Sequence, residues 1–319
     1  MKLSLILASA ASFGSVALAH THLAHLTLDG TRYGEGVCIK PYPAAKNNPV
    51  KNPASADLTC GLNNADTKAA KTCPVKAGSK ITVEWRHNTD APTDDIISAS
   101  HVGPCLVYMA PLASGGKGDA WFKIFEEGYD TASKKWCTDR IRANQGKLDV
   151  NLPADIKAGD YLLRTEIIAL HQAMDDYATN PSRGAQYYVN CAQVSVSGGG
   201  SASPQGYPIP GIYKTNDPGI LFNHNKPFTT YPIPGPPICS SIGSSPSSGA
   251  PVPEPPTSSA PAYSQHQPTH TGAPSSHYKT KGAPKSKSGT HHPYGTKSEH
   301  PIYNTKGSHP KITPEPYYQ

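Results

Sequence analysis

Short apolar segments that alternate with polar residues run through the first two thirds of the chain. Ile81-Thr82-Val83-Glu84-Trp85, Leu148-Asp149-Val150-Asn151-Leu152 and Gln193-Val194-Ser195-Val196 each change sides residue by residue. Period-two alternation of this kind predicts strands with one buried face. Cys105–Met109 and Tyr161–Thr165 are apolar without a break, which predicts central strands. Turn signals such as Lys76-Ala77-Gly78-Ser79 and Lys157-Ala158-Gly159-Asp160 separate them. No long amphipathic helix is evident. Many short strands joined by long connections predict an all-β fold, an antiparallel immunoglobulin- or fibronectin-III-like β-sandwich with long loops. The two longest connections, 36 to 60 and 201 to 239, are rich in Pro, Gly and Tyr. Loops of that length in a compact domain are commonly either functional or disordered.

The ends of the chain read differently. Residues 1–19 carry Lys2, a mostly apolar run from Leu3 to Val16, and Ala17-Leu18-Ala19 as a small-x-small cleavage site. This predicts a secretory signal cut to leave His20 at the N-terminus, and hence an extracellular protein. The apolar run is too short and too broken to span a bilayer. From Ser240 onward Ser, Pro, Thr, Gly, His and Lys predominate, with almost no aliphatic side chains. Such a segment buries too little apolar surface to offset its ordering entropy, so 240–319 is expected to be a disordered tail. Residues 20–239 then form a single folded domain, large enough for one substantial core.

Charge and cysteines narrow the function. The formal charge is +6, but the tail's seven Lys and three Glu account for +4 of it. The near-neutral domain offers no electrostatic footprint for nucleic acid. Seven cysteines, at 38, 60, 73, 105, 137, 191 and 239, occur without any CxxC pair. In an exported chain these read as disulfides with one left over, although spacing cannot fix the connectivity. There is no GxSxG nucleophile motif. The adjacent acids Asp94-Asp95 and Glu126-Glu127 point to opposite sides of an extended chain and read as solvated loop charges rather than a glycosidase pair. No Asn-x-Ser/Thr sequon is present, so no N-glycan is expected.

An N-terminal histidine has distinctive chemistry. Its α-amine titrates at roughly 7.7–8.0, so it gives up a proton readily near neutral pH. That amine and the Nδ1 of the same residue can chelate one ion, and a second imidazole opposite completes a T of three nitrogens. Planar nitrogen donors favour copper(II). His101, in Ser100-His101-Val102-Gly103-Pro104 at a loop-to-strand junction, is a candidate for that imidazole, and His87 competes on the same grounds. In Gln186-Tyr187-Tyr188-Val189-Asn190-Cys191, residues two apart share a face, so Gln186 and Tyr188 point together. His171 follows the apolar Ile167-Ile168-Ala169-Leu170.

Taken together, these segments resemble the fungal lytic polysaccharide monooxygenases of auxiliary-activity family nine, formerly glycoside hydrolase family 61. The resemblance extends over 20–239. It includes His20, Ser100–Pro104, Gly118–Ile124, Glu166–His171, Gln186–Tyr188, Thr215–Ile220 and Tyr231–Pro236, in family order. It implies that His20 and His101 hold one copper ion, with Tyr188 as the axial residue. His171 and Gln186 would position the reacting oxygen. It implies oxidative cleavage of a glycosidic bond, most commonly in cellulose, with an external reductant and O2 or H2O2. A flat face around the copper would lie on the polysaccharide. Tyr213 resembles the family's surface tyrosine on the glucan, and Tyr42 is a further substrate-binding candidate from its Pro-rich loop. Cys60–Cys191 is the family's most frequent disulfide. Cys105 with Cys137 and Cys38 with Cys73 are the remaining expected pairs, leaving Cys239. No membrane or nucleic-acid partner is expected, and the protein is expected to be a monomer. The alternative is a non-catalytic copper- or glycan-binding protein of the same fold.

Overall fold

The computed structural model describes residues 20–42, 47–91 and 93–239. The expected signal and tail lie outside the described residues. Twelve strands and one short helix follow in chain order: β1 (His22–Leu28), β2 (Thr31–Gly34), β3 (Cys73–Lys76), β4 (Lys80–Arg86), β5 (Cys105–Pro111), β6 (Asp119–Glu127), β7 (Tyr129–Asp130), β8 (Lys135–Trp136), α1 (Cys137–Ala143), β9 (Lys147–Asn151), β10 (Gly159–Ala169), β11 (Gln186–Ser197) and β12 (Tyr207–Pro208). A four-stranded sheet, β2-β1-β4-β9, packs on a six-stranded sheet, β12-β6-β5-β10-β11-β3. β7 and β8 form a separate ribbon.

The two kinds of strand pattern have a common cause. The four-stranded sheet buries one face, so Leu23, Leu26, Ile81, Val83, Trp85, Leu148 and Val150 point inward and their neighbours outward. The six-stranded sheet is covered on both faces. Along β5, Cys105, Val107 and Met109 join the core between the sheets. Leu106, Tyr108 and Ala110 join a second core on the outer face. β10 and β11 divide in the same way, with Tyr188 in the first core and Tyr187 and Cys191 in the second. A strand buried on both sides needs apolar residues at every position, hence the unbroken runs.

The second core is capped by the two long connections, through Val50, Leu58 and Cys60 from one and Ile209, Tyr213, Ile220 and Tyr231 from the other. Buried charge is also accommodated there. Arg164 Nη1 and Nη2 lie 2.9 and 2.8 Å from the two oxygens of Glu166. The Arg164 guanidinium also donates to the carbonyls of Leu58 and Thr59. Disulfides join Cys38–Cys73, Cys60–Cys191 and Cys105–Cys137, and Cys239 is outside them.

One pairing departs from the antiparallel plan: β3 runs parallel to β11, with Val194 opposite Cys73. Three of the four paired acids are also less solvated than expected, Asp95 alone being exposed, and Glu126 and Glu127 lie in β6 rather than in a loop. Asp94 accepts four backbone N–H groups, Glu126 pairs with Lys123 at 2.7 Å, and Glu127 pairs with Arg140.

Candidate metal centre

Three elements bring the candidate residues to one end of the sandwich. His20 stands just before β1, which is hydrogen-bonded to both β2 and β4. His101 lies in the segment that enters β5, and that segment is pinned to the end of β10. The Leu170 N–H donates to Val102 O at 2.8 Å, the Ile168 N–H to Pro104 O at 3.1 Å, and the Gly103 N–H to Thr138 Oγ1 at 3.1 Å. A Cβ on residue 103 would sit 1.9 Å from the Ile168 carbonyl oxygen, so only glycine allows this approach. His171 follows the same end of β10 in the turn from Leu170 to Ala173. Tyr188 comes from β11, next to β10.

Three rings converge pairwise. The His20 and His101 centroids are 6.4 Å apart with planes at 80°. Tyr188 lies 6.1 Å from His20 and 5.9 Å from His101. Two imidazoles bound at about 2 Å through nitrogen to an ion between them would have centroids about 6 Å apart, so the spacing fits one shared metal.

The nitrogen chemistry fits as well. His101 is 3% exposed, its Nδ1 is 3.1 Å from Ser100 Oγ, and its Nε2 is buried without a hydrogen-bond partner. Burial, aided by His171, His20 and His87, brings its pKa down to about 3. Burial and His87 also lower His20. A neutral imidazole presents its lone pair to a metal. Among the described residues no group of three or more His, Cys, Asp or Glu side chains is arranged to hold a metal. A brace of one amine and two imidazoles draws on only two such side chains.

Around this trio, His171 stacks on His101 at 3.8 Å. The Tyr188 hydroxyl donates to Gln186 Oε1 at 2.9 Å, and Gln186 Nε2 donates to Gln172 Oε1 at 3.3 Å. Burial raises the Tyr188 phenol well above its ordinary range, which keeps it protonated. Gln172 was not among the sequence candidates. His224 was also missed; it lies close enough to His171 to lower that residue's pKa, after burial. Its loop is tied down by the Phe222 N–H, which donates to Ala173 O at 2.8 Å.

One substrate-binding expectation is corrected. Tyr213 is 4% exposed; its hydroxyl donates to Glu166 Oε2 at 2.7 Å and lies 2.8 Å from that of Tyr108, while its ring stacks on Tyr187. It is a wedge of the second core, unable to touch a glucan. Tyr42 turns its hydroxyl inward to accept from the Leu23 N–H at 3.0 Å and sets its ring edge-on to His22. That hydroxyl ties the chain to the start of β1. His87, the competitor for second imidazole, is buried against Asp95.

The model of Auxiliary Activity family 9, formerly GH61, matches residues 20–231. An AA9 family lytic polysaccharide monooxygenase A of Aspergillus clavatus is 43% identical over 268 residues, 82% of this chain and 73% of that protein. Among solved structures, CvAA9A superposes with a TM-score of 0.66 at 37% identity, covering 70% of this chain and all of that one. A cellulose-active polysaccharide monooxygenase from M. thermophila superposes with a TM-score of 0.55 at 27% identity, covering 69% of this chain and 98% of that one.

Proposed function

The chain belongs to Auxiliary Activity family 9, whose members are copper-dependent oxidoreductases that cleave polysaccharides, and from that premise we propose how its own residues perform the reaction. The α-amine of His20, freed by cleavage after Ala19, and Nδ1 of the same residue would hold one copper ion together with Nε2 of His101. Tyr188 would stand beside the metal. The observation that carries this reading is the meeting of the His20, His101 and Tyr188 rings at 5.9–6.4 Å, with Nε2 of His101 buried and unpartnered. Bound copper supplies one-electron chemistry between Cu(I) and Cu(II), by which a reductant and O2 or H2O2 hydroxylate a carbon at the glycosidic bond.

The protein's own part is orientation and exclusion of water. Tyr188, held protonated by burial, spends its O–H on Gln186 and so fixes the amide beside the metal side of the sheet. His171, stacked on His101, presents a second imidazole to the reacting oxygen. Both act as positioning groups for that oxygen. The substrate is cellulose or another β-1,4-glucan, a reading supported by the cellulose-active relative of the same fold. Export and a monomeric state belong to the same proposal.

The decisive experiment incubates the processed protein, loaded with copper, on cellulose with ascorbate and analyses soluble products by mass spectrometry. Oxidised oligosaccharides are expected. Copper bound at the site without any such products would overturn the proposal.

A further inference from the structure

One buried imidazole has no role in the chemistry described so far. His87 comes immediately after β4 and is 3% exposed. Its Nδ1 lies 2.6 Å from Asp95 Oδ1, whose side chain is 55% exposed. In the neutral ring, a nitrogen that close to a carboxylate carries the proton and donates it, which makes Nε2 the acceptor. This Nε2 is buried and has no hydrogen-bond partner. An unmatched acceptor away from water is costly, so a donor at that spot would be strongly favoured.

The surroundings say which donor. His22 pairs with Arg86 at the end of the β1–β4 register, and Thr21 and His87 are the next residues of the two segments, with His20 one further along the chain. Thr21 Oγ1 donates to Arg86 O at 3.2 Å, which holds the N-terminal segment against this corner. The loop carrying the pair is stiff. Asp94 accepts the backbone N–H groups of His87, Asn88, Thr89 and Ile96, and Asn47 Nδ2 donates to His87 O at 3.2 Å.

We propose that His87, oriented by Asp95, is a positioning residue for the N-terminal nitrogen: its Nε2 accepts a hydrogen bond from the α-amine of processed His20 and aims that nitrogen at the copper. An amine that binds a metal through its lone pair keeps two N–H bonds, so it donates and ligates at once. Asp95 fixes the tautomer that makes His87 an acceptor, as carboxylates do for histidines around metal sites. The inference rests on the copper reading of the site and adds a member to it.

The test uses protein beginning at His20, as wild type, His87→Ala, His87→Gln, Asp95→Asn and His101→Ala. Copper affinity is measured by titration and the Cu(II) environment by electron paramagnetic resonance. Copper-free samples are checked for His87 tautomer by 15N NMR and for folding by melting. His87 is expected as the Nδ1–H tautomer in the copper-free protein. His87→Ala should weaken Cu(II) about 10- to 100-fold. His87→Gln, whose amide oxygen replaces the acceptor, should recover most of that loss, and the number of coupled nitrogens should stay constant. Should His87→Ala not fold, Asp95→Asn carries the same test, with a loss of about tenfold expected.

Unchanged affinity in a folded variant would overturn the inference. So would loss of one coupled nitrogen in His87→Ala, which would make His87 a ligand. A wild type that binds no copper would instead sink the copper reading itself. Binding that fails in His101→Ala but is untouched in His87→Ala would leave the copper reading standing and remove only this inference.

Discussion

The imidazoles of His101 and His171 lie face to face, 3.8 Å between centroids and 23° from parallel. Two charged rings would repel strongly at that distance. Burial and their neighbours prevent this, bringing His101 down to about 3 and His171 down to about 4. The pair therefore works as two neutral rings with different duties, and substitution should separate them. His101→Ala should weaken copper by more than the roughly 100-fold that outer partners typically cost. His171→Ala should keep copper within a few-fold of wild type while oxidised products form about 10- to 100-fold more slowly. Copper titration and product mass spectrometry on the two variants check both halves. Equal copper loss in both would remove the division of labour.

The N-terminus is the second point of vulnerability. A methionine retained before His20 converts its amine into a peptide nitrogen, whose lone pair is delocalised into the carbonyl. The chelate ring then loses its first donor and the added residue crowds the site. Both copper affinity and product formation should fall below detection, while melting of the copper-free protein stays unchanged. An extended form that still turns over would contradict the proposed ligand set.

Much of this was legible in the chain because burial writes itself as period. β4 and β9 alternate since their sheet has one covered face, and β5 and β10 run apolar since theirs has two. The same logic explains the misreading of Tyr213. An aromatic in a Pro- and Gly-rich loop looks identical whether it faces a glucan or seals a second core. Only the fold shows that the two long connections cap the outer face of the six-stranded sheet. Strand direction leaves no mark on side-chain period, so the parallel pairing of β3 with β11 was hidden. The ordering of His87 depends on Asp95, eight residues further along the same loop, and on where the β1–β4 register places the loop, contacts that local spacing does not encode.

Reassigning Tyr213 to the interior has a measurable consequence. Its hydroxyl donates to Glu166 and lies against that of Tyr108, beside the buried Arg164. Tyr213→Phe strips a hydrogen bond from a buried charge and should cost about 1.5–3 kcal/mol. Glu166→Gln leaves the Arg164 guanidinium without its counter-charge and should cost about 3–5 kcal/mol. Urea unfolding measures both. Cellulose binding by folded Tyr213→Phe should equal wild type, and a clear loss of binding would return Tyr213 to the substrate face.

Acid sensitivity should trace in part to Asp94. Partial burial pushes its carboxyl up, but the N–H groups of Thr89, Asn88, His87 and Ile96 outweigh this and hold it at about 2. An unfolded aspartate titrates at about 3.9. With the folded value the lower one, the ionised form is favoured by folding. Its stabilisation is therefore complete above about pH 4 and disappears as pH falls toward 2. Asp94→Ala should melt below wild type at pH 7, and the gap should narrow progressively between about pH 4 and pH 2. Melting curves across that range decide the matter. A gap that stays constant with pH would mean the loop is held by contacts other than this carboxylate, and the rigidity argued for the His87–Asp95 pair would lose its anchor.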